Sequence, residues 1–136
     1  MDRALVQLFE QQHGVVRTAQ ALLYGESYET IERRVANNDW ARPLPRIVAP
    51  CGVELSFAGR LSAAALSIGG RIAFGGSTAA ALWRFPGVDP PDRLHVIVDD
   101  SRQASSCELM HVQRRSALLD RTYVRDGWPV VSVEAA

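Results

Sequence analysis

Arginines are the residues of this sequence best suited to chemistry, because its 136 residues include 15 basic ones and no lysine. A guanidinium stays protonated and presents a planar fork of donors, which fits a phosphate or two acceptors of one guanine. The absence of a side-chain amine excludes a Schiff base, a phosphate-loop lysine and the lysine of a restriction-type carboxylate cluster. The composition therefore excludes every chemistry that needs a side-chain amine.

The other reactive residue types form no catalytic or metal-ligand pattern. The segment 70–77 copies the glycine spacing of a phosphate-binding loop, but Gly76 stands where that loop needs lysine. We interpret Gly75-Gly76 as a turn, with Ser77 or Thr78 capping the next helix. The remaining candidates are dispersed along the chain: Cys51, Cys107, His13, His95, His111, Asp89, Asp92, Asp99 and Asp100. We expect no catalytic residue, metal site or cofactor, and two reduced cysteines.

Three short helices are predicted to position the arginines of the N-terminal third. Apolar residues at helical spacing predict a first helix that includes residues 4–9. Thr18 is predicted to cap a second helix that ends at Gly25, and Ser27 to cap a third. The small residue Ala21 at the crossing and the glycine at the turn are typical of a helix-turn-helix, although any pair of crossed helices would share them.

The third predicted helix would offer its polar side to a major groove, because Ile31 and Val35 turn inward. Arg33 is the best candidate to read a base, and Arg34 could touch a phosphate. A proline-containing segment follows, in which residues 46–49 predict an edge strand and hence a wing. The predicted DNA-binding residues are Arg17, Thr18, Ser27, Tyr28, Thr30, Arg33, Arg34, Asn37, Arg42 and Arg46.

Charge sets a limit on this hypothesis. From Arg17 to Arg46 there are five arginines and four acidic residues, a net charge of +1, and the whole chain is formally neutral. Phosphate neutralisation supplies most non-specific affinity, so one copy of this segment would hold DNA weakly. We therefore expect a homodimer or a second basic surface.

The second half predicts an α+β arrangement. Helical patterns cover residues 55–68 and 78–84, and strand patterns cover residues 71–74, 94–98 and 108–113. A boundary near Pro50 gives a winged helix-turn-helix at residues 1–50 and a small mixed α/β segment at residues 51–136. The chain stops where the pattern predicts the start of another helix, so we expect a further C-terminal domain to follow.

These segments resemble AbiEi-type antitoxins of type IV toxin–antitoxin systems, in the form that actinobacteria carry. The resemblance covers nearly the whole chain and rests on Gly14-Val15-Val16, Ala19-Gln20, Leu22, Gly25, Ser27, Ile31, Arg33-Arg34-Val35, Trp40, Val48-Ala49, the segment 77–83, Pro86-Gly87, the segment 95–98 and the segment 126–130. Arg46 and Val48 depart from it, because the family usually has glycine and tyrosine at these places in the wing. The resemblance implies binding to the operon's own promoter, negative autoregulation and a nucleotidyltransferase-type toxin as genetic partner.

The sequence therefore predicts a DNA-binding, antitoxin-like transcriptional repressor that is not an enzyme. Two alternatives stay open: the non-catalytic N-terminal arm of an endonuclease-like protein, and a protein-interaction module that uses the apolar surface around Trp83 and Phe85. No signal segment or membrane span is apparent, so we expect a cytoplasmic protein that binds double-stranded DNA and no membrane.

Overall fold

The structure is a computed structural model that describes residues 1–135. It is an α+β protein, as the sequence predicts, and it divides into two compact units, residues 1–67 and 68–136. The division falls after the fourth helix, whereas the sequence places a boundary near Pro50. Hydrogen bonds explain the difference, because they hold the end of that helix to the first unit: the Ser67 hydroxyl donates to the Pro45 carbonyl, and Arg46 donates to the Ser67 carbonyl.

The first unit contains four helices and a three-stranded antiparallel sheet. Its elements are α1 (Arg3–Gln11), β1 (Val16–Arg17), α2 (Thr18–Leu23), α3 (Tyr28–Ala36), β2 (Trp40–Ala41), β3 (Ile47–Pro50) and α4 (Phe57–Ile68). The sheet order is β1-β3-β2, so β3 lies between the other two strands. The predicted edge position of this strand is therefore wrong. Ile47 and Val48 pair with β1, Ala49 pairs with β2, and all three residues are buried.

The core of the first unit ties the three N-terminal helices to the sheet. Its buried members are Leu5, Phe9, Val16, Ala21, Ile31, Trp40 and Val48. The rings of Phe9 and Trp40 meet edge to face with centroids 5.6 Å apart. Ile31 is fully buried and Val35 packs against the same cluster, so the predicted inward face of the third helix is confirmed.

The start of α3 agrees with the sequence prediction, and the start of α2 differs from it. Ser27 caps α3 as predicted, since its hydroxyl accepts a hydrogen bond from the Thr30 N–H at 3.1 Å. Thr18 is not a cap but the first residue of α2, and the Gln20 side chain instead accepts from the Arg17 N–H at 2.9 Å. Long-range contacts decide this, because Gln20 also exchanges hydrogen bonds with Gln12 of the preceding segment.

The second unit is built on a five-stranded mixed sheet. Its elements are β4 (Ile72–Phe74), α5 (Gly76–Leu82), β5 (Leu94–Val98), β6 (Met110–Arg114), α6 (Ser116–Leu119), β7 (Thr122–Arg125), β8 (Trp128–Val131) and a 3-10 turn (Val133–Ala135). The strand order is β6-β5-β4-β8-β7. Strands β5 and β6 are parallel, as are β4 and β8, and the other two pairs are antiparallel. The apolar residues of the central strands form its core.

The predicted capping of α5 is wrong. The helix begins at Gly76, with Gly75 as N-cap and no side-chain cap, so Ser77 and Thr78 lie inside its first turn. The Thr78 hydroxyl is buried and accepts the His95 N–H at 2.9 Å, which joins the helix to β5. The Thr78 hydroxyl thus makes a tertiary hydrogen bond and does not cap the helix as the sequence pattern predicts.

Candidate nucleic-acid interface

The polar side of helix α3 faces outward. Burial of Ile31 fixes the rotation of the helix, and residues three and four positions apart then share a face. Thr30, Arg33 and Asn37 consequently form the outward face, with Glu29 beside them. This face has no net charge, which suits contacts to base edges better than attraction to phosphates.

Arg33 is exposed, and its guanidinium has no ion-pair or hydrogen-bond partner within residues 1–135. A free fork of donors on the outward face can bond an incoming ligand without first breaking an internal contact. Tyr28 and Ser27 are also exposed, at the N-terminal end of the same helix, and Thr30 is half-buried. The structure therefore brings the predicted α3 residues together around Arg33.

Arg34 is occupied inside the unit. Its guanidinium pairs with the Glu26 carboxylate at 3.1 Å and lies over the Trp40 ring, 5.1 Å from the ring centre. The Glu26 side chain is only 9% exposed, so the pair is shielded from solvent on that side. Arg34 thus clamps the turn before α3 to β2, and the phosphate contact expected of it would require that clamp to open.

The two hairpin arginines also have partners. The residues 42–46 connect β2 to β3, and Arg42 at their start forms a close ion pair with Glu32 of α3 on the surface. Arg46 at their end donates to the Ser67 carbonyl at 3.2 Å. Leu44 between them is buried, so the connection is a short, well-packed turn.

Arg46 has a φ of +66°, in the left-handed region that glycine adopts without strain. We expect Arg46→Ala to lower the free energy of unfolding by about 0.5–1.5 kcal/mol, because it loses the hydrogen bond to Ser67 and keeps the strain. Arg46→Gly loses the same bond but relieves about 1–2 kcal/mol of strain, so its stability should stay close to that of the wild type. Urea unfolding of the three proteins checks this. Equal destabilisation by both substitutions would contradict it.

Arg17 and Thr18 lie at the start of α2, where both are half-buried. The Arg17 Nε is buried and has no partner among the described residues. Asn37 is exposed as the C-terminal cap of α3. Of the ten predicted residues, Arg34, Arg42 and Arg46 therefore have internal partners and Ser27 caps α3, whereas Arg33 is exposed with no partner among the described residues.

The sequence did not reveal the partners that occupy these arginines. Glu26 lies eight positions from Arg34, and Ser67 lies 21 positions from Arg46, so neither follows the local spacing of a helical pair. The only sequence feature that indicates the first of these pairs is a carboxylate at the α2–α3 turn followed by an arginine on α3. Such a pair becomes visible only once the turn brings the two elements together.

Candidate residues of the second unit make contacts within that unit. The N–H and hydroxyl of Ser101 hydrogen-bond the Asp99 carboxylate, which lowers its pKa from the ordinary value. Trp83 donates to the Val131 carbonyl at 2.8 Å and meets the Tyr123 ring edge to face. Within residues 1–135, no group of three His, Cys, Asp or Glu side chains is arranged to hold a metal ion.

No helix in the described part of the chain is both long and apolar enough to cross a membrane. No protein-family model matches this sequence, and no curated protein matches it either.

Proposed function

We propose that this chain binds double-stranded DNA at specific sequences and represses transcription, with α3 entering the major groove. The observation that carries the proposal is the free Arg33 guanidinium on the outward face of α3, which follows α2 after a short turn. In a helix-turn-helix, the second helix contacts base edges through such residues. An arginine there can bond O6 and N7 of one guanine together.

The surrounding elements support the same proposal. Helix, strand, helix, helix and two further strands follow one another, and the first strand pairs beside the last. A winged helix-turn-helix has this order, with the final hairpin as its wing. Here the hairpin begins with Arg42, whose surface ion pair to Glu32 is of the exposed kind that contributes little and can be exchanged.

A purified chain and a random-duplex library test the proposal. Repeated selection should enrich one sequence, and the enriched duplex should bind more tightly than a scrambled duplex of equal length and composition. Specific sites are typically bound about 10³- to 10⁷-fold more tightly than non-specific DNA at physiological salt. Equal affinity for both duplexes would reject sequence-specific binding.

The salt dependence of binding separates phosphate contacts from base contacts. We expect Arg42→Ala to weaken binding to all duplexes alike and to reduce the slope of log K against log salt by about one unit, because one phosphate contact is lost. Arg46→Ala is the matched control from the same turn, and its slope should equal that of the wild type. Fluorescence anisotropy titrations at several salt concentrations supply the measurement. An unchanged slope for Arg42→Ala would assign Arg42 to the fold.

A finer proposal is that the repressor acts as the antitoxin of a type IV system and controls its own promoter. Its support is the resemblance to AbiEi-type antitoxins, which implies a nucleotidyltransferase-type toxin encoded beside it. A reporter fused to the chain's own upstream region should be silenced by the chain in trans. Co-expression should restore the growth of cells that carry the adjacent toxin gene. If the chain does not silence this reporter but selection still enriches one duplex, DNA binding stands and autoregulation is rejected.

We also propose that residues 1–136 catalyse no reaction on nucleic acid or nucleotides. The support is chemical, because no lysine is present to complete a carboxylate cluster or a phosphate loop. The test incubates the protein with plasmid, single-stranded DNA, RNA and ATP in magnesium or manganese. Turnover that co-elutes with the protein and is lost on replacing Asp99 and Asp100, or His111, would overturn it.

A further inference from the structure

The two edge strands of the second unit's sheet, β6 and β7, differ in whether a loop covers them. Along β6, the preceding loop covers the edge: the Val112 N–H donates to the Ser106 hydroxyl, and the Cys107 N–H donates to the Met110 carbonyl. The Arg114 side chain holds the same loop by donating to the carbonyls of residues 102 and 104. The β6 edge is therefore closed to a further strand.

The opposite edge, β7, has no such cover within residues 1–135. Val124 lies opposite Pro129 of β8, and proline has no N–H to donate, so these two residues form the non-hydrogen-bonded pair of the ladder. The two-residue turn at Asp126 and Gly127, both with positive φ, requires the same alternation, because it closes on the hydrogen-bonded pair Arg125–Trp128. The N–H and C=O of Val124 consequently point away from β8.

Two neighbouring side chains of this edge, Tyr123 and Val124, are large and exposed. Val124 is 76% exposed and Tyr123 is 52% exposed. Natural sheets protect a free edge with a very short strand, charged side chains, proline, a bulge or a covering loop. β7 has four residues, and its one charged side chain, Arg125, is turned back to donate to the Leu82 carbonyl and to lie over the Trp83 ring. Within residues 1–135, no proline, bulge or loop protects this strand. A strand in this state is a template for another strand.

We propose that β7 pairs antiparallel with β7 of a second copy of this chain, with Val124 opposite Val124 across a two-fold axis. This register lets the two Val124 residues exchange their outward N–H and C=O groups. It also places Tyr123 opposite Arg125 and Thr122 opposite Asp126, so that no like charges face each other. The interface is isologous and joins the two sheets into one continuous sheet.

Charge selects this register over the neighbouring one with the same backbone alternation. Centring the axis on Tyr123 would place Arg121 opposite Arg125 at both ends of the pairing, and like charges directly opposite destabilise a sheet. A second copy also agrees with one of the two expectations from the proposed DNA binding, because a net charge of +1 between Arg17 and Arg46 is small for a DNA-binding monomer. The pairing itself does not depend on DNA binding.

The test measures the mass of the full chain in solution without DNA, by light scattering after size exclusion over a concentration series. The wild type should reach twice the 14.9 kDa mass of one chain. Val124→Lys places two ammonium groups opposite each other and should give the monomer mass at the same concentration. Thr122→Lys is the matched control, because the new side chain faces Asp126, and it should remain dimeric.

A second variant tests the backbone contact alone. Val124→Pro removes an N–H that β8 does not use, so the fold should persist by circular dichroism while the dimer is lost. A wild type that stays monomeric throughout the series overturns the proposal. So does a Val124→Lys or a folded Val124→Pro variant that dimerises as the wild type does, or an equal response to the two lysine variants.

Discussion

Replacing Arg33 by alanine should weaken binding to the selected duplex by about 1–3 kcal/mol, roughly 5- to 150-fold, because a bidentate contact to one base is lost. The same variant should bind the scrambled duplex nearly as the wild type does. It should also unfold at the same temperature, since the guanidinium has no internal partner among the described residues. Titration of both duplexes and a thermal scan make the measurement.

Two neighbouring substitutions act as controls for Arg33→Ala. Arg33→Lys keeps the positive charge but removes the planar fork, so it should lose most of the specificity and little of the non-specific affinity. Arg34→Ala removes the same charge one residue along, but it leaves the shielded Glu26 carboxylate without its partner. We expect the main effect of Arg34→Ala to be a lower free energy of unfolding. Equal affinity of wild type and Arg33→Ala for every duplex would exclude Arg33 as the base reader.

Phe74→Ala should lower the free energy of unfolding of the second unit by about 3–5 kcal/mol, because it removes a fully buried aromatic side chain and leaves a cavity. Phe74 lies on β4 between Val96 of β5 and Val130 of β8, and its ring meets Trp128 edge to face at 6.2 Å. The loss therefore affects three central strands together. Urea unfolding followed by tryptophan fluorescence measures it.

Two substitutions act as controls for Phe74→Ala: a conservative one at the same site and one at an exposed residue. Phe74→Leu keeps most of the apolar volume and should cost clearly less than alanine does. Val53→Ala shortens a side chain that is 72% exposed, so it should change stability by no more than about 0.5 kcal/mol. A loss below about 1 kcal/mol for Phe74→Ala would show that this site collapses around the missing ring.

Local sequence patterns determined the helices of the first unit and the orientation of α3. Helical spacing, the Ser27 cap and the glycine at residue 25 act over one or two turns, which is the range that periodicity and capping report. The inward position of Ile31 and the outward position of Arg33 follow from the same spacing. Strands β4, β5 and β6 were likewise visible as short apolar runs.

Pairing partners were decided only by the tertiary structure, because they join residues that are distant in the chain. The strand at residues 47–50 was expected at an edge and lies in the centre, since β1 and β2 reach it from opposite sides. The short elements β2, α6 and β7 have too few residues to show a period, and neighbouring elements hold them in place.

The roles of the arginines divide in the same way. Sequence alone made Arg33 the expected base reader and Arg34 and Arg46 expected phosphate contacts, but it did not show which of the three has an internal partner. Folding brings Glu26 to Arg34 and the Ser67 carbonyl to Arg46, and it brings no partner within residues 1–135 to Arg33. The sequence thus determined which face of α3 points outward, whereas long-range packing decided which guanidinium on the unit is free to bind, because an ion pair depends on distance in space and not on distance along the chain.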